Sequence, residues 1–111
     1  MRRTISRDNI YHTISRHGAQ SALVRKSKQQ VVMINDISKW IDYADNADIQ
    51  AFSKDSEGRD VLISGKQLNG NYYVIVEQIR SKNNELAFKT MYFENGNLEN
   101  SNAFNEARII K

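Results

Sequence analysis

Apolar residues fall at helical spacing in the first half of the chain and at strand spacing in the second. Ser6 can cap a helix running to Arg16, with Asp8 in its first turn and Gly18 where a helix commonly stops. Ile10, Ile14 and His17 then share one stripe, the i, i+4, i+7 pattern of a buried face, which puts His17 at the edge of the core. Residues 19–30 are polar and basic without a period and read as a loop or irregular turn. After the apolar run Val31 to Ile34, Asn35 or Asp36 can cap a second helix reaching Asn46, with Ile37, Trp40, Ile41 and Ala44 on one face. Trp40, at regular spacing among isoleucines, reads as a packing residue.

Beyond Asn46 the period becomes that of strands. Ile49 to Ser53, Val61 to Lys66, Tyr72 to Ile79 and Leu86 to Phe93 are separated by Asp55-Ser56-Glu57-Gly58, Asn69-Gly70-Asn71 and Ser81-Lys82-Asn83-Asn84, all turn compositions. The expected architecture is α+β: N-terminal helices packed on a roughly four-stranded antiparallel meander. In the third strand Tyr73, Ile75, Glu77 and Ile79 alternate with Tyr72, Val74, Val76 and Gln78, so one face can pack the helices while the other stays partly polar. Glu77 is then a carboxylate in the middle of a sheet: on the open face, paired with a cation, or serving as acid or base. The acidic, asparagine-rich tail can form a short helix near Ala103 to Arg108 or an edge strand at Ile109-Ile110.

The chain has 111 residues, enough for one domain over residues 1–111 with a single modest core. The 40% hydrophobic and 26% charged shares are those of a folded protein. No apolar run approaches the ~20 residues of a membrane span, and none follows the basic start to make a signal peptide. The chain therefore reads as soluble, without a membrane role. Absence of cysteine removes disulfides, thiolate nucleophiles and cysteine-ligated zinc, which agrees with a cytoplasmic site of action. No glycine-rich phosphate loop is present, and no serine stands in a nucleophile-elbow context. Neither a cofactor nor a resident metal is expected.

The net charge of +3 conceals an asymmetry. Residues 1–30 hold seven cations (Arg2, Arg3, Arg7, Arg16, Arg25, Lys26, Lys28) against Asp8, a balance of +6, leaving −3 for the rest. Such a segment supplies the sequence-independent, salt-sensitive attraction a polyanion needs, although a solvated surface has the same composition. Both histidines lie here, His12 and His17, with Arg16 between them, and imidazoles suit proton transfer at neutral pH. At 100° per residue the two stand about 140° apart on a helix, too far to grip one metal ion readily.

Ile14-Ser15-Arg16-His17-Gly18, the Asp36 to Asn46 helix running into Ala47-Asp48, the Gly70 to Glu77 strand and Leu86-Ala87-Phe88-Lys89-Thr90-Met91-Tyr92 occur in an order and spacing spanning about residues 8–93. In this pattern the chain resembles the phage-borne and polymorphic-toxin branches of the barnase, EndoU, colicin and RelE-like nuclease superfamily. The resemblance implies a metal-independent endoribonuclease in which the 2′-hydroxyl attacks the adjacent phosphate, leaving a cyclic phosphate and a free 5′-hydroxyl. By that analogy His17 is the general acid or base, Arg16 or Lys89 steadies the phosphorane charge, and Thr90 with Tyr92 orients the phosphate. Period two places Thr90 and Tyr92 on one strand face, though both are also ordinary strand residues. A second catalytic partner is open among Glu77, Arg80, Lys66 and His12. Arg25, Lys26 and Lys28 are candidate RNA contacts, and Tyr72, Tyr73, Tyr92 and Phe93 candidate base-stacking platforms.

The resemblance further implies RNA, transfer RNA included, as substrate, and a cognate immunity protein or antitoxin, with the chain itself a monomer. It also implies action in a bacterial cytoplasm after secretion or phage injection as part of a larger protein. A noncatalytic nucleic-acid-binding or regulatory module with the same fold is the alternative, and a protein-interaction domain a third.

Overall fold

Helix α1 (Arg7–His17) opens on Ser6, whose Oγ accepts the Asn9 amide at 3.1 Å, the N-cap bond expected of a serine there. The structure, a computed structural model, describes residues 1–17, 29–30, 32–105 and 107–110, and of residues 16, 17, 29 and 30 the backbone alone. Before α1 lies a short strand, β1 (Arg2–Thr4); after it come β2 (Gln29–Gln30) and two short helices, α2 (Ile34–Ile37) and α3 (Trp40–Asp45). Four long strands follow: β3 (Ile49–Lys54), β4 (Asp60–Leu68), β5 (Asn71–Arg80) and β6 (Glu85–Asn95). Two 3-10 turns, Leu98–Asn100 and Asn102–Phe104, and β7 (Arg108–Ile109) complete the chain.

The expected meander is present, β3 to β6 pairing antiparallel in chain order, and each strand runs one to three residues beyond its expected bounds. The sheet, however, is larger than four strands and not purely antiparallel. Its order is β1-β6-β5-β4-β3-β7 with β2 also on β6, and β1 lies parallel to β6 in the register Arg2 to Glu85 and Thr4 to Ala87. These added strands are two or three residues long, below the length at which alternation of side chains is visible in sequence. Of the two expectations for the tail, the edge strand is found, one residue earlier than proposed, and the 3-10 turn Asn102–Phe104 overlaps the start of the short helix.

The single helix expected over Asp36 to Asn46 is instead two, broken at Ser38–Lys39. The Ser38 hydroxyl donates to the Asn35 carbonyl at 2.6 Å, a local bond that competes with helix continuation. Ile37, Trp40 and Ala44 are buried as the stripe demands, but Ile41 turns outward. Asp36 does not sit at the N-cap; from the third helical position it accepts the Met33 amide at 2.8 Å and the Tyr73 hydroxyl at 2.7 Å.

Both faces of the sheet are covered. Against α1 to α3, Tyr73, Ile75, Phe88 and Met91 pack with Val32, Ile37, Trp40 and Ala44, with Ile10 and Ile14 at the margin. On the other face, expected to be partly polar, Val61, Ile63, Tyr72 and Val74 pack beneath Leu98 and Phe104. Gln67 ties this C-terminal cover down: its amide donates to the Asn69, Asn71 and Gly96 carbonyls, and its Oε1 accepts the Leu98 amide at 2.7 Å. The cover seats over Gly65, where a Cβ would lie 2.6 Å from Leu98 Cδ1.

Candidate functional site

Strand β6 carries β1 at one end and β2 at the other, pairing through Glu85–Ala87 and Phe93–Glu94, so that the edge at residues 88–92 has no strand partner among the described residues. Helix α1 lies along this gap. The Asn9 side-chain amide donates to the Phe88 carbonyl at 2.6 Å, satisfying a backbone group that a neighbouring strand would otherwise take. One turn on, Thr13 is fully buried with its Oγ1 3.4 Å from Thr90 Oγ1. His17 stands four residues after Thr13, so its backbone is one helical turn further along the same side of α1.

An irregularity between Val76 and Glu77 makes Lys89 an extra residue in β6, since Thr90 pairs with Val76 and Phe88 with Glu77. The bulge breaks period two between Phe88 and Thr90 but leaves Thr90 and Tyr92, opposite Val76 and Val74, on one strand face. Thr90 reaches α1 at the open edge, and Tyr92 packs against the Val61-Val74-Leu98 cluster, where burial pushes its phenol up. Lys89 Nζ is 2.6 Å from Asp55 Oδ2, and Arg59 Nε approaches the same oxygen at 2.8 Å. That carboxyl is held well below the usual carboxylate range, chiefly by the Lys89 hydrogen bond and then by the Arg59 backbone amide. Lys89 is thus a half-exposed cation already paired within the β3–β4 hairpin.

Glu77 is fully buried. Its Oε2 faces Arg3 Nε at 2.9 Å and accepts from Trp40 Nε1 at 3.3 Å, while Oε1 has no hydrogen-bond partner. Desolvation raises its pKa, and the Arg3 charge and Trp40 bond act against that rise. Arg3 is itself bound to Asp45, so β1 clamps the sheet to the end of α3.

The other sequence candidates are dispersed. His12 is exposed on α1. Lys66 Nζ lies 3.8 Å from Asp48 Oδ2, toward α3. Tyr72 is buried and donates to Glu94, its phenol pushed up to about 12 by burial first and that carboxylate second. Tyr73 is stacked between Tyr43 and Phe93, with centroids 4.7 and 4.3 Å away. Neither tyrosine presents a free face for a base. The side chains of Arg16 and His17, and Arg25, Lys26 and Lys28 altogether, lie outside the described residues.

The site therefore brings together α1 and the bulged centre of β6, with Thr13 and Thr90 in contact. Sequence reasoning missed Thr13, Arg3 and Asp55. Only Thr13 had a usable signal, its i, i+4 relation to His17. No group of three or more His, Asp or Glu side chains able to hold a metal occurs among the described residues.

No curated protein and no solved structure matches the chain. A family model does, over residues 1–101, which takes in β1 to β6, the α1–β6 contact and the first 3-10 turn of the C-terminal cover. With its long antiparallel strands, its N-terminal helix against the sheet and this match, the chain belongs to the phage-Barnase-EndoU-ColicinE5/D-RelE like nuclease3 family, and its enzymatic class is that of a nuclease acting on nucleic acid.

Proposed function

We propose that the chain is an endoribonuclease that needs no metal and that cleaves RNA through its own 2′-hydroxyl. The observation that carries this reading is the seating of α1 on the open edge of β6, with Thr13 against Thr90 and the His17 backbone one turn beyond. Nuclease family membership and the +6 balance of residues 1–30 support it. In the reaction the 2′-oxygen forms a bond to phosphorus as the bond to the 5′-oxygen breaks, yielding a 2′,3′-cyclic phosphate and a 5′-hydroxyl. The 2′-hydroxyl gives its proton to a base and the departing 5′-oxygen takes one from an acid; His17 supplies one of these roles. Arg16 steadies the charge on the pentavalent phosphorus.

Thr90, half-buried beside α1, serves as a hydroxyl donor to phosphate oxygen. Tyr92 acts only as a donor, since its phenol stays protonated at neutral pH. Lys89 contributes by exchanging Asp55 for phosphate. Glu77, engaged with Arg3 and Trp40 in the core, holds the sheet rather than touching RNA. The basic balance of residues 1–30 suits an acidic inhibitor, in keeping with a toxin neutralised by a dedicated immunity protein or antitoxin.

The chemistry is tested by end-group analysis of cleaved RNA. The expected products carry 2′,3′-cyclic phosphate, and a single 2′-deoxy substitution at the cleaved nucleotide blocks the cut. Products with 5′-phosphate, or unimpeded cutting at the 2′-deoxy position, would refute the mechanism.

A further inference from the structure

Of the aromatic side chains expected to stack bases, Tyr72 and Tyr73 are consumed by the core, being 3% and 6% exposed, and Tyr92 and Phe93 are partly buried against it. Among the described residues the large aromatics left open to solvent are Tyr11, 73% exposed, and Phe52, 41% exposed. Phe52 lies on β3, three strands away from β6. Tyr11 lies on α1 itself, next to His12 and on the helix that carries His17.

Beside Tyr11 is a concave apolar site of about 260 Å³ lined by Ile10, Tyr11, Ile14 and Ile34. Small-molecule pockets begin at ~300 Å³, so this one is suited to a single planar ring system and not to a whole nucleotide. Ile10 and Ile14 occupy the stripe on which His17 takes the next place, and Ile14 precedes His17 by about 4.5 Å of helix rise. A base neighbouring a phosphate held at His17 is within one nucleotide of the pocket.

Resting on the nuclease reading of His17, we propose that Tyr11 and the Ile10-Ile14-Ile34 floor form a nucleobase subsite for the residue flanking the scissile phosphate of single-stranded RNA. A nucleobase is the occupant that the surroundings favour. The phosphodiester it belongs to is attracted by the basic first 30 residues, while its ring needs apolar and aromatic contact. Tyr11 supplies the ring face and the isoleucines the floor. Stacking of this kind is tolerant of sequence, because every base has a π-face, so the subsite adds affinity and register more than base choice.

Binding of a short 2′-O-methyl oligoadenylate, which has no 2′-hydroxyl to attack, tests the subsite apart from cleavage. Tyr11→Ala is expected to weaken binding roughly 5- to 150-fold, the loss of one stacked base, and Tyr11→Phe to stay within about twofold of wild type. An abasic oligomer of equal length is expected to bind wild type and Tyr11→Ala alike. Unchanged affinity of Tyr11→Ala for the oligoadenylate, as a polypeptide-binding role for this face would give, overturns the proposal. So does an equal loss on the abasic oligomer. Because this oligomer cannot be cleaved, weakened binding by Tyr11→Ala in a chain that cuts no RNA would support the subsite while refuting the nuclease reading.

Discussion

Replacing Arg3 by methionine removes the cation that faces a fully buried carboxylate while keeping most of the side-chain volume. Glu77 has only the Arg3 guanidinium and Trp40 Nε1 against its Oε2, and nothing on Oε1. Without Arg3 a buried charge is left uncompensated, which costs about 3 to 5 kcal/mol. A domain of this size has a total stability of about 5 to 15 kcal/mol, so the loss is a large fraction and corresponds to a fall in Tm of roughly 12 to 20 °C. The effect carries a pH signature. Burial puts the folded pKa of Glu77 above the ordinary glutamate value of 4.5, so between these values the folded chain binds the proton more tightly than the unfolded one. Stability at this group is therefore gained as pH falls toward about 4.5 and lost as pH rises through the folded pKa. Removing Arg3 moves that pKa further up and widens the window. Thermal unfolding of Arg3→Met is expected to show its greatest loss at neutral pH and a shrinking loss on acidification. Adding Glu77→Gln, which needs no counter-charge and still accepts from Trp40, is expected to recover much of it. A loss below about 1 kcal/mol that is flat with pH, or a double variant no better than Arg3→Met, would refute the reasoning.

Other outcomes follow from single contacts. Gly65→Ala drives a Cβ into Leu98 and Phe104 and is expected to cost about 1 to 3 kcal/mol in denaturant unfolding, with a smaller cost when Leu98→Ala is already present; equal costs in both backgrounds would show that the cover does not seat there. Thr13→Val keeps the shape of a buried residue but drops its hydroxyl contact to Thr90, for an expected loss of about 1 kcal/mol that is not repeated when Thr90→Val is added. Asp55 has a folded pKa depressed by Lys89 and Arg59, so its contribution is present above about pH 4 and lost as pH falls through the folded value; Asp55→Asn is expected to flatten the acid limb of the stability profile, and an unchanged limb would contradict the ion cluster.

The helix at the start and the four long strands were legible because each spans enough residues for its period to show: α1 is capped by the serine that the pattern names, and β3 to β6 alternate between visible turns. The break between α2 and α3 was not legible, since a serine bonding three residues back leaves the apolar stripe intact. Nor were β1, β2 and β7, whose membership in the sheet is decided by partners up to 83 residues distant rather than by their own composition. In the site, His17 and Thr90 stood out by type, yet the extra residue at Lys89, which shifts Thr90 and Tyr92 together out of step with Phe88, leaves no mark in a strand of ordinary strand formers. The environment of Glu77 was equally hidden: its cation, Arg3, is 74 positions away and counted in the sequence only as part of a basic segment.

Incubation of the purified chain with total and transfer RNA in excess EDTA, beside His17→Ala, tests the central claim most directly. The account predicts cleavage by the wild type and a loss of about 10²- to 10⁴-fold in the variant, with the circular dichroism spectrum and Tm of the two chains alike. Intact RNA with folded wild-type protein, or cleavage that the His17→Ala chain retains in full, would contradict it.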